Sequence, residues 1–450
     1  MITKVTVLYS TPRSLSITEN KFITIDSPQT KAYLVVLRPQ GEENRRSEAR
    51  LDELQSLVKT MGADIVGSLV IPLRNTNSAT LIGSGKVAEL QVLVEEAQAD
   101  CVVFEQDLPP RVQRNLEQAF EIAVIDRQEV ILQIFSDRAA TKEAVLQVAL
   151  ARQEYSLPRL TRKWTHLSRQ RGGMKGTRGE GETQLEIDRR IVMNRIAQLK
   201  RELQKVEGQR SIQRKSRSEG TIPTAAIVGY TNAGKSSLLN LISRSDVLVE
   251  NKLFATLDPT TRKIPLPRGG ELLVSDTVGF VSNLPHQLVD AFKSTLEEAK
   301  YADFIIHVVD ASHPDMLQCY ETTMEVLASL GCEGKPMVIF INKMDAQNDE
   351  FSVAKIIADH PGTITGSVKE NEGIGELLLS VERLAHIAHP EYAFTIPHSR
   401  GDLVAMIRNN GTVLHIDYVD EGVKIRARIP RFLEKNLVPY ISDGTGEILE

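Results

Sequence analysis

The sequence predicts an α/β protein of several domains: a small parallel α/β domain at the N-terminus, a helical hairpin linker, a doubly wound α/β domain and a small C-terminal α+β domain. Three observations predict it. Short apolar, β-branched runs alternate with helical stretches over residues 30–135 and again over 221–390, the pattern of parallel sheets covered by crossover helices. Between those blocks the apolar period becomes that of a long helix. In the second block the run 225–228 passes through a glycine-rich loop straight into a helix, as a phosphate-binding sheet begins. The expected boundaries are 1–140, 141–215, 221–390 and 391–450, a division that suits 450 residues.

Residues 1–30 carry little periodicity. The unbroken run 32–37 (AYLVVL) reads as a strand buried on both faces. Residues 47–61 read as a helix with Leu51, Leu54, Leu57 and Val58 on one face. Strands follow at 65–71, 101–104 and 122–125, and helices at 87–97, 110–120 and 129–135. Within this block Leu81, Ile82, Gly83, Ser84, Gly85 and Lys86 resemble a fragment of a phosphate loop, readable as a turn and helix cap or as a second nucleotide site. From Leu185, apolar residues fall at Val192, Ile196, Leu199, Leu203 and Val206, which makes a heptad seam. A helix over 141–155 supplies the facing surface, so two antiparallel helices carry the segment between them at a tip. Beyond 390 a helix at 403–407, strands at 413–418 and 423–429 joined by a tight turn, and a helix at 432–438 complete the appendage.

Charge is unevenly spread. The whole chain carries −5, yet 151–220 holds 18 Lys and Arg against 8 Asp and Glu, which suggests a polyanionic partner. The tip, 159–179, has no acidic residue. Its cations are Arg159, Arg162, Lys163, Arg169, Arg171, Lys175 and Arg178, beside the only tryptophan, Trp164. Arginines neutralise a phosphate chain, glycines allow close approach and an indole stacks on a base, so these residues are candidates for RNA binding; a solvated basic loop is the plainer reading. Three scattered cysteines, Cys101, Cys319 and Cys332, fit no metal or disulfide pattern and point to a reducing compartment. No secretory signal and no apolar run near the ~20 residues of a membrane span are evident, so a soluble cytoplasmic protein is expected.

The chemistry lies in the second α/β block. Residues 229–236 read GYTNAGKS, the G-x-x-x-x-G-K-[ST] loop whose backbone N–H groups cradle phosphates. Gly229, Tyr230, Thr231, Asn232, Ala233 and Gly234 form it; Lys235 would reach the β- and γ-phosphates and the Ser236 hydroxyl would ligate magnesium. Asn342, Lys343, Met344 and Asp345 follow an apolar strand and match an N-K-x-D box. The Asp345 carboxylate can accept from guanine N1 and N2, a donor pair that adenine lacks. Asp276, Thr277, Val278 and Gly279 match the D-x-x-G box, with Asp276 facing magnesium and Gly279 the γ-phosphate. Phe280 stands next, where many GTPases carry the glutamine that orients water, so the catalytic group is unassigned and slow intrinsic turnover is expected. Phe254, Ala255, Thr256, Leu257 and Asp258 occupy the first-switch position; Thr256 is the chosen magnesium ligand, with Thr260 and Thr261 as rivals. Ser367, Val368 and Lys369 resemble the S-A-K box that packs on guanine. Together these boxes specify a doubly wound P-loop GTPase domain that binds GTP and GDP with Mg2+.

Over roughly residues 30–440 the chain resembles the HflX-type GTPases. The resemblance rests on 229–236, the switch segment 254–262, Asp276 to Phe280, and Gly179, Glu180, Gly181, Glu182, Thr183, Gln184, Leu185 and Glu186 before the long helix. Glu180 stands where that family usually has proline, and Gly172 to Gly176 is one residue longer than its GGxG. The resemblance implies a monomeric factor that binds the large ribosomal subunit and its rRNA, hydrolyses GTP faster there, and separates stalled or idle ribosomes. Peripheral association with a membrane is left open. An alternative is an RNA-binding regulator or large-subunit assembly factor that uses GTP for timed release. Asn232 resembles the asparagine that ligates K+ in related GTPases; the alternative is that it only serves the turn.

Overall fold

A computed structural model describes residues 30–73, 76–160, 180–218, 222–243, 254, 260–280 and 298–443. Three sheets organise them. The first is parallel, in the order β2-β1-β3-β4, from β1 (Lys31–Arg38), β2 (Asp64–Pro72), β3 (Cys101–Phe104) and β4 (Ala123–Asp126). Its strands alternate faces, as the two-residue pleat requires. Ala32, Leu34, Val36, Cys101 and Val103 pack towards α1 (Asn44–Met61) and α4 (Arg127–Arg138). Tyr33, Val35, Leu37, Val102 and Phe104 pack towards α2 (Ser84–Glu96) and α3 (Pro110–Phe120).

Local chemistry sets the helix ends. Gly62 closes α1 in the left-handed region, at φ 87°, with its N–H on the Lys59 carbonyl. Asp126 caps α4 by accepting from the Glu129 N–H at 3.0 Å, and Thr141 caps α5 (Lys142–Ser156) through the Ala144 N–H at 3.2 Å. The 81–86 stretch is a turn and the first turn of α2: Lys86 donates its N–H to the Gly83 carbonyl and pairs its ammonium with Glu89 on the same helix.

The heptad seam forms as the sequence predicts. Ile196, Leu199 and Leu203 of α6 (Glu180–Ser218) pack on Leu146 and Leu150 of α5, with Val192 and Val206 beside them. At 39 residues, α6 is about 58 Å long and far outreaches the 15 residues of α5. The opposite side of α5, Ala144, Val148, Ala151 and Tyr155, belongs to the core of the first sheet. The helix expected only to face its hairpin partner is thus also a layer of the N-terminal unit.

The second sheet has the order β10-β9-β8-β5-β7-β6. β5 (Thr224–Val228), β7 (Glu271–Asp276), β8 (Phe304–Asp310), β9 (Met337–Asn342) and β10 (Ile364–Thr365) run parallel, with β6 (Thr260–Pro265) antiparallel at the edge. The chain proceeds from β5 towards β7 on one side and from β8 towards β10 on the other. This switch point opens a crevice at the carboxyl ends of β5 and β8, where doubly wound sheets bind ligands. The third sheet is antiparallel, β12-β13-β11-β14, from β11 (Glu391–Ile396), β12 (Thr412–Val419), β13 (Gly422–Arg428) and β14 (Ile441–Asp443). β11 and β14 were not expected from the sequence.

One apolar core joins the first two sheets. Leu54, Leu57, Val130 and Phe135 from the N-terminal helices share it with Val228, Tyr230, Phe254, Val278, Phe280 and Ile305 from the nucleotide-loop side of the second sheet. None of the described helices is long and apolar enough to cross a membrane.

Candidate nucleotide-binding site

The loop after β5 leads into α7 (Lys235–Ser243), and its shape is fixed by close approach. Gly234, at φ 97°, would carry a Cβ 2.3 Å from the Asn342 amide nitrogen, so no side chain fits there. The Asn342 amide donates to the Ala233 carbonyl at 2.8 Å and its oxygen accepts the Val368 N–H at 2.9 Å. One buried asparagine therefore ties the phosphate loop to the segment of Ser367 to Lys369, across strands far apart in the chain.

The D-x-x-G residues are tied to the same loop. The Thr231 N–H donates to the Phe280 carbonyl at 2.7 Å, and the Phe280 N–H donates to the Gly229 carbonyl at 3.1 Å. The Thr277 hydroxyl, fully buried, donates to the Ile227 carbonyl at 2.7 Å. A Cβ on Gly279 would lie 2.8 Å from both the Lys235 ammonium and Thr231, so its bare backbone is what leaves the crevice open. The Phe280 ring is 1% exposed and joins the shared core, so it offers no polar group to a water.

Lys235 is buried, with its ammonium on the Tyr230 carbonyl at 2.7 Å. Burial brings its pKa down to about 8, opposed by the Asp276 carboxylate and assisted by Lys343. The Ser236 hydroxyl donates to Asp276 Oδ2 at 2.6 Å, a hydroxyl and a carboxylate side by side, the hard oxygen donors magnesium prefers. Beside them the Thr231 hydroxyl is buried with no hydrogen-bond partner among the described residues, a feature that fits an absent phosphate oxygen.

The loop of Asn342 to Asp345 is tied down in the same way. Lys343, at φ 63°, pairs with Asp310 at 2.6 Å. The Ser367 hydroxyl donates to Asp345 Oδ1 at 2.6 Å and holds its pKa below the usual carboxylate range, with a smaller contribution from Lys369, 3.8 Å from Oδ2. Sequence reasoning missed Asp310; its signal was an acid ending the apolar run of β8 at the ligand side of the sheet.

Several expected residues stand elsewhere. Phe254 turns its ring into the core, 4.6 Å edge-on to Phe135, so the ring is a core residue and not one that faces nucleotide. Ala255, Thr256, Leu257 and Asp258 lie outside the described residues, as do Arg162, Lys163, Arg169, Arg171, Lys175 and Arg178. Arg159, read as the first cation of the basic tip, is a structural residue. Its guanidinium pairs with buried Asp126 at 3.1 Å, donates to Gln113 and to the Leu108 and Tyr155 carbonyls, and lies 3.5 Å above the Tyr155 ring. It is not available to a polyanion.

Family models match three stretches of the chain: "GTP-binding GTPase N-terminal" over 48–136, "GTP-binding GTPase Middle Region" over 138–217, and "50S ribosome-binding GTPase" over 224–343. The chain is 47% identical over 424 residues to a protein of Akkermansia muciniphila named GTPase HflX, covering 92% of this chain and 97% of that one. It is 53% identical over 329 residues to a GTPase HflX of Treponema denticola, covering 72% and 84%. Among solved structures it is similar to a GTP-binding protein of the archaeon Sulfolobus solfataricus in complex with GDP, at 24% identity and TM-score 0.45, covering 80% of this chain and 99% of that one.

Proposed function

The chain belongs to the HflX family of GTPases and hydrolyses GTP, and on that premise we propose that it binds the large ribosomal subunit and separates stalled or idle ribosomes into subunits. The observation that carries the reading is Phe280. The site holds a phosphate loop, a base reader and a magnesium-type donor pair, yet the group after Asp276 to Gly279 is a buried phenyl ring. Such a site binds GTP well and orients water poorly, so turnover awaits a partner that completes it. The match of 224–343 to a family described as 50S ribosome-binding, together with the basic run between Leu160 and Glu180, favours the large subunit as that partner.

In this reading the loop N–H groups and Lys235 hold the phosphates, and Asp345 accepts from guanine while Asn342 keeps base and phosphate loops in register. Ser236, Asp276 and Thr256 would hold magnesium, which when bound neutralises charge on the phosphate oxygens. Exposed Asn232, at φ 61°, would ligate a potassium ion. Equal hydrolysis rates in Na+ and K+ at matched ionic strength would leave it only the turn. The reading is tested by sedimenting purified intact ribosomes with the protein and a non-hydrolysable GTP analogue. Conversion to subunits is expected. Intact ribosomes alongside protein bound only to free large-subunit particles would favour the assembly-factor alternative.

A further inference from the structure

The carboxyl end of the N-terminal sheet is where an α/β sheet ordinarily receives a ligand. Here it receives a side chain of the phosphate loop. Glu105 follows β3, Arg127 follows β4, and Glu53 reaches over from α1. The Tyr230 hydroxyl donates to Glu53 Oε1 at 2.9 Å, and Arg127 donates to the same oxygen at 2.9 Å. The Arg127 guanidinium also lies against the Tyr230 hydroxyl and sits 3.8 Å from Glu105, whose second oxygen pairs with Arg50 at 2.8 Å. Arg50 pairs in turn with Glu42 at 2.5 Å. The network is largely buried, so each charge depends on its neighbours for solvation, and a hydroxyl donating to a carboxylate in such a place makes a strong, directional bond.

Tyr230 is held at its other end by the nucleotide site. Its carbonyl accepts the Lys235 ammonium, and the next N–H, that of Thr231, is bonded to Phe280. The ring lies edge-on to His313, 5.6 Å away, and nearby Arg46 reaches Asp315 at 3.7 Å. A single residue thus joins the N-terminal ion network to the lysine that must meet the phosphates.

We propose that Glu53 and Arg127 are positioning residues for nucleotide binding, acting through the Tyr230 hydroxyl that they hold. A phosphate cradle made of glycine-rich backbone has few internal constraints, and an anchor outside its own domain lowers the entropy lost when phosphate orders it. Glu53 and Arg127 remain paired with each other when the hydroxyl is removed, so Tyr230→Phe leaves no buried charge alone. The inference depends on GTP binding and not on the ribosomal reading, because its test contains no ribosomes.

The test is a double-mutant cycle on the dissociation rate of a fluorescent GDP from the full-length protein. Tyr230→Phe and Glu53→Ala are each expected to speed dissociation about three- to tenfold. The double variant should be no faster than Glu53→Ala alone, since that substitution already removes the acceptor of the Tyr230 hydroxyl along with the Arg127 partner. Glu53→Gln, which keeps an acceptor oxygen for the tyrosine, should restore the parental rate. A purely structural role would lower the melting temperature without this coupling. A Tyr230→Phe protein that melts like the parent and releases GDP within about twofold of its rate overturns the proposal, as do multiplicative effects in the double variant. If Glu53→Ala fails to fold, the Tyr230→Phe rate decides alone.

Discussion

At Asp345 the carboxylate is set before any base arrives: the Ser367 hydroxyl holds one oxygen and keeps the group ionised, which suits an acceptor for the two guanine donors. Asp345→Asn should weaken GTP and admit xanthosine triphosphate, whose 2-oxo group pairs with an amide donor; the loss is about ten- to a hundredfold, since the bonds involve a charged group. Parental GTP affinity in that variant would remove Asp345 from base reading. Lys235 offers a pH test. Its pKa lies near 8, below the ordinary lysine value because burial disfavours the cation, so above about pH 8 the free protein holds it largely neutral. Phosphates favour the cation. Binding at pH 9 should then take up a proton, and affinity should fall as pH rises through about 8. Titration calorimetry at pH 9 in two buffers of different ionisation enthalpy checks this; identical heats would contradict it. Both residues stand out in the sequence because each occupies a fixed place in a short motif of its own loop. Asp310 does not, because its partner Lys343 stands just past the end of the neighbouring strand.

The start of α4 holds a second shifted group. Glu129 is partly buried beside its own cap, Asp126; burial first and the Asp126 charge second push its pKa up to about 7, against the pull of Arg159 and the Tyr155 hydroxyl. A carboxyl raised on folding contributes stability that is complete below its unfolded pKa and is lost as pH rises through the folded value. The window is therefore about pH 4.5 to 7. Glu129→Gln should stabilise the protein by about 1–3 kcal/mol at pH 8, and the advantage should largely vanish by pH 5. Thermal melts at the two pH values measure it; an equal difference at both would refute the assignment. The sequence predicted α4 and the α5–α6 seam from apolar spacing alone. It missed that α5 is apolar towards both α6 and the first sheet, because one helix serving two cores looks in sequence like one with a broad stripe.

Across the whole molecule, the shared core makes the N-terminal sheet and nucleotide site one packed body, and the basic run stands in the sequence between Arg159 and α6. Neutralising Arg169, Arg171, Lys175 and Arg178 together should lower the salt dependence of ribosome binding by about two to four log–log units, at ~0.9 per phosphate contact. GTP affinity should stay within about twofold, as for distant independent sites. Co-sedimentation with large subunits across a salt series, beside a nucleotide titration, measures both. A variant that pellets like the parent at every salt concentration would move the contact to the N-terminal unit or the third sheet. What the sequence alone determined was pattern carried by short covalent spacing: the glycine-rich loop of 229–236, the N-K-x-D and D-x-x-G boxes and the phenyl ring that follows the latter. It also determined the alternation of strands and helices, since a buried pleat or a one-sided helix leaves its period in the chain. Only the tertiary structure decided that Arg159 folds inward onto Asp126, that Asn342 spans 109 residues to Ala233, and that Tyr230 spans 177 residues to Glu53. Those pairings arise from how whole layers dock, and docking brings together residues whose separation along the chain carries no signal of their contact.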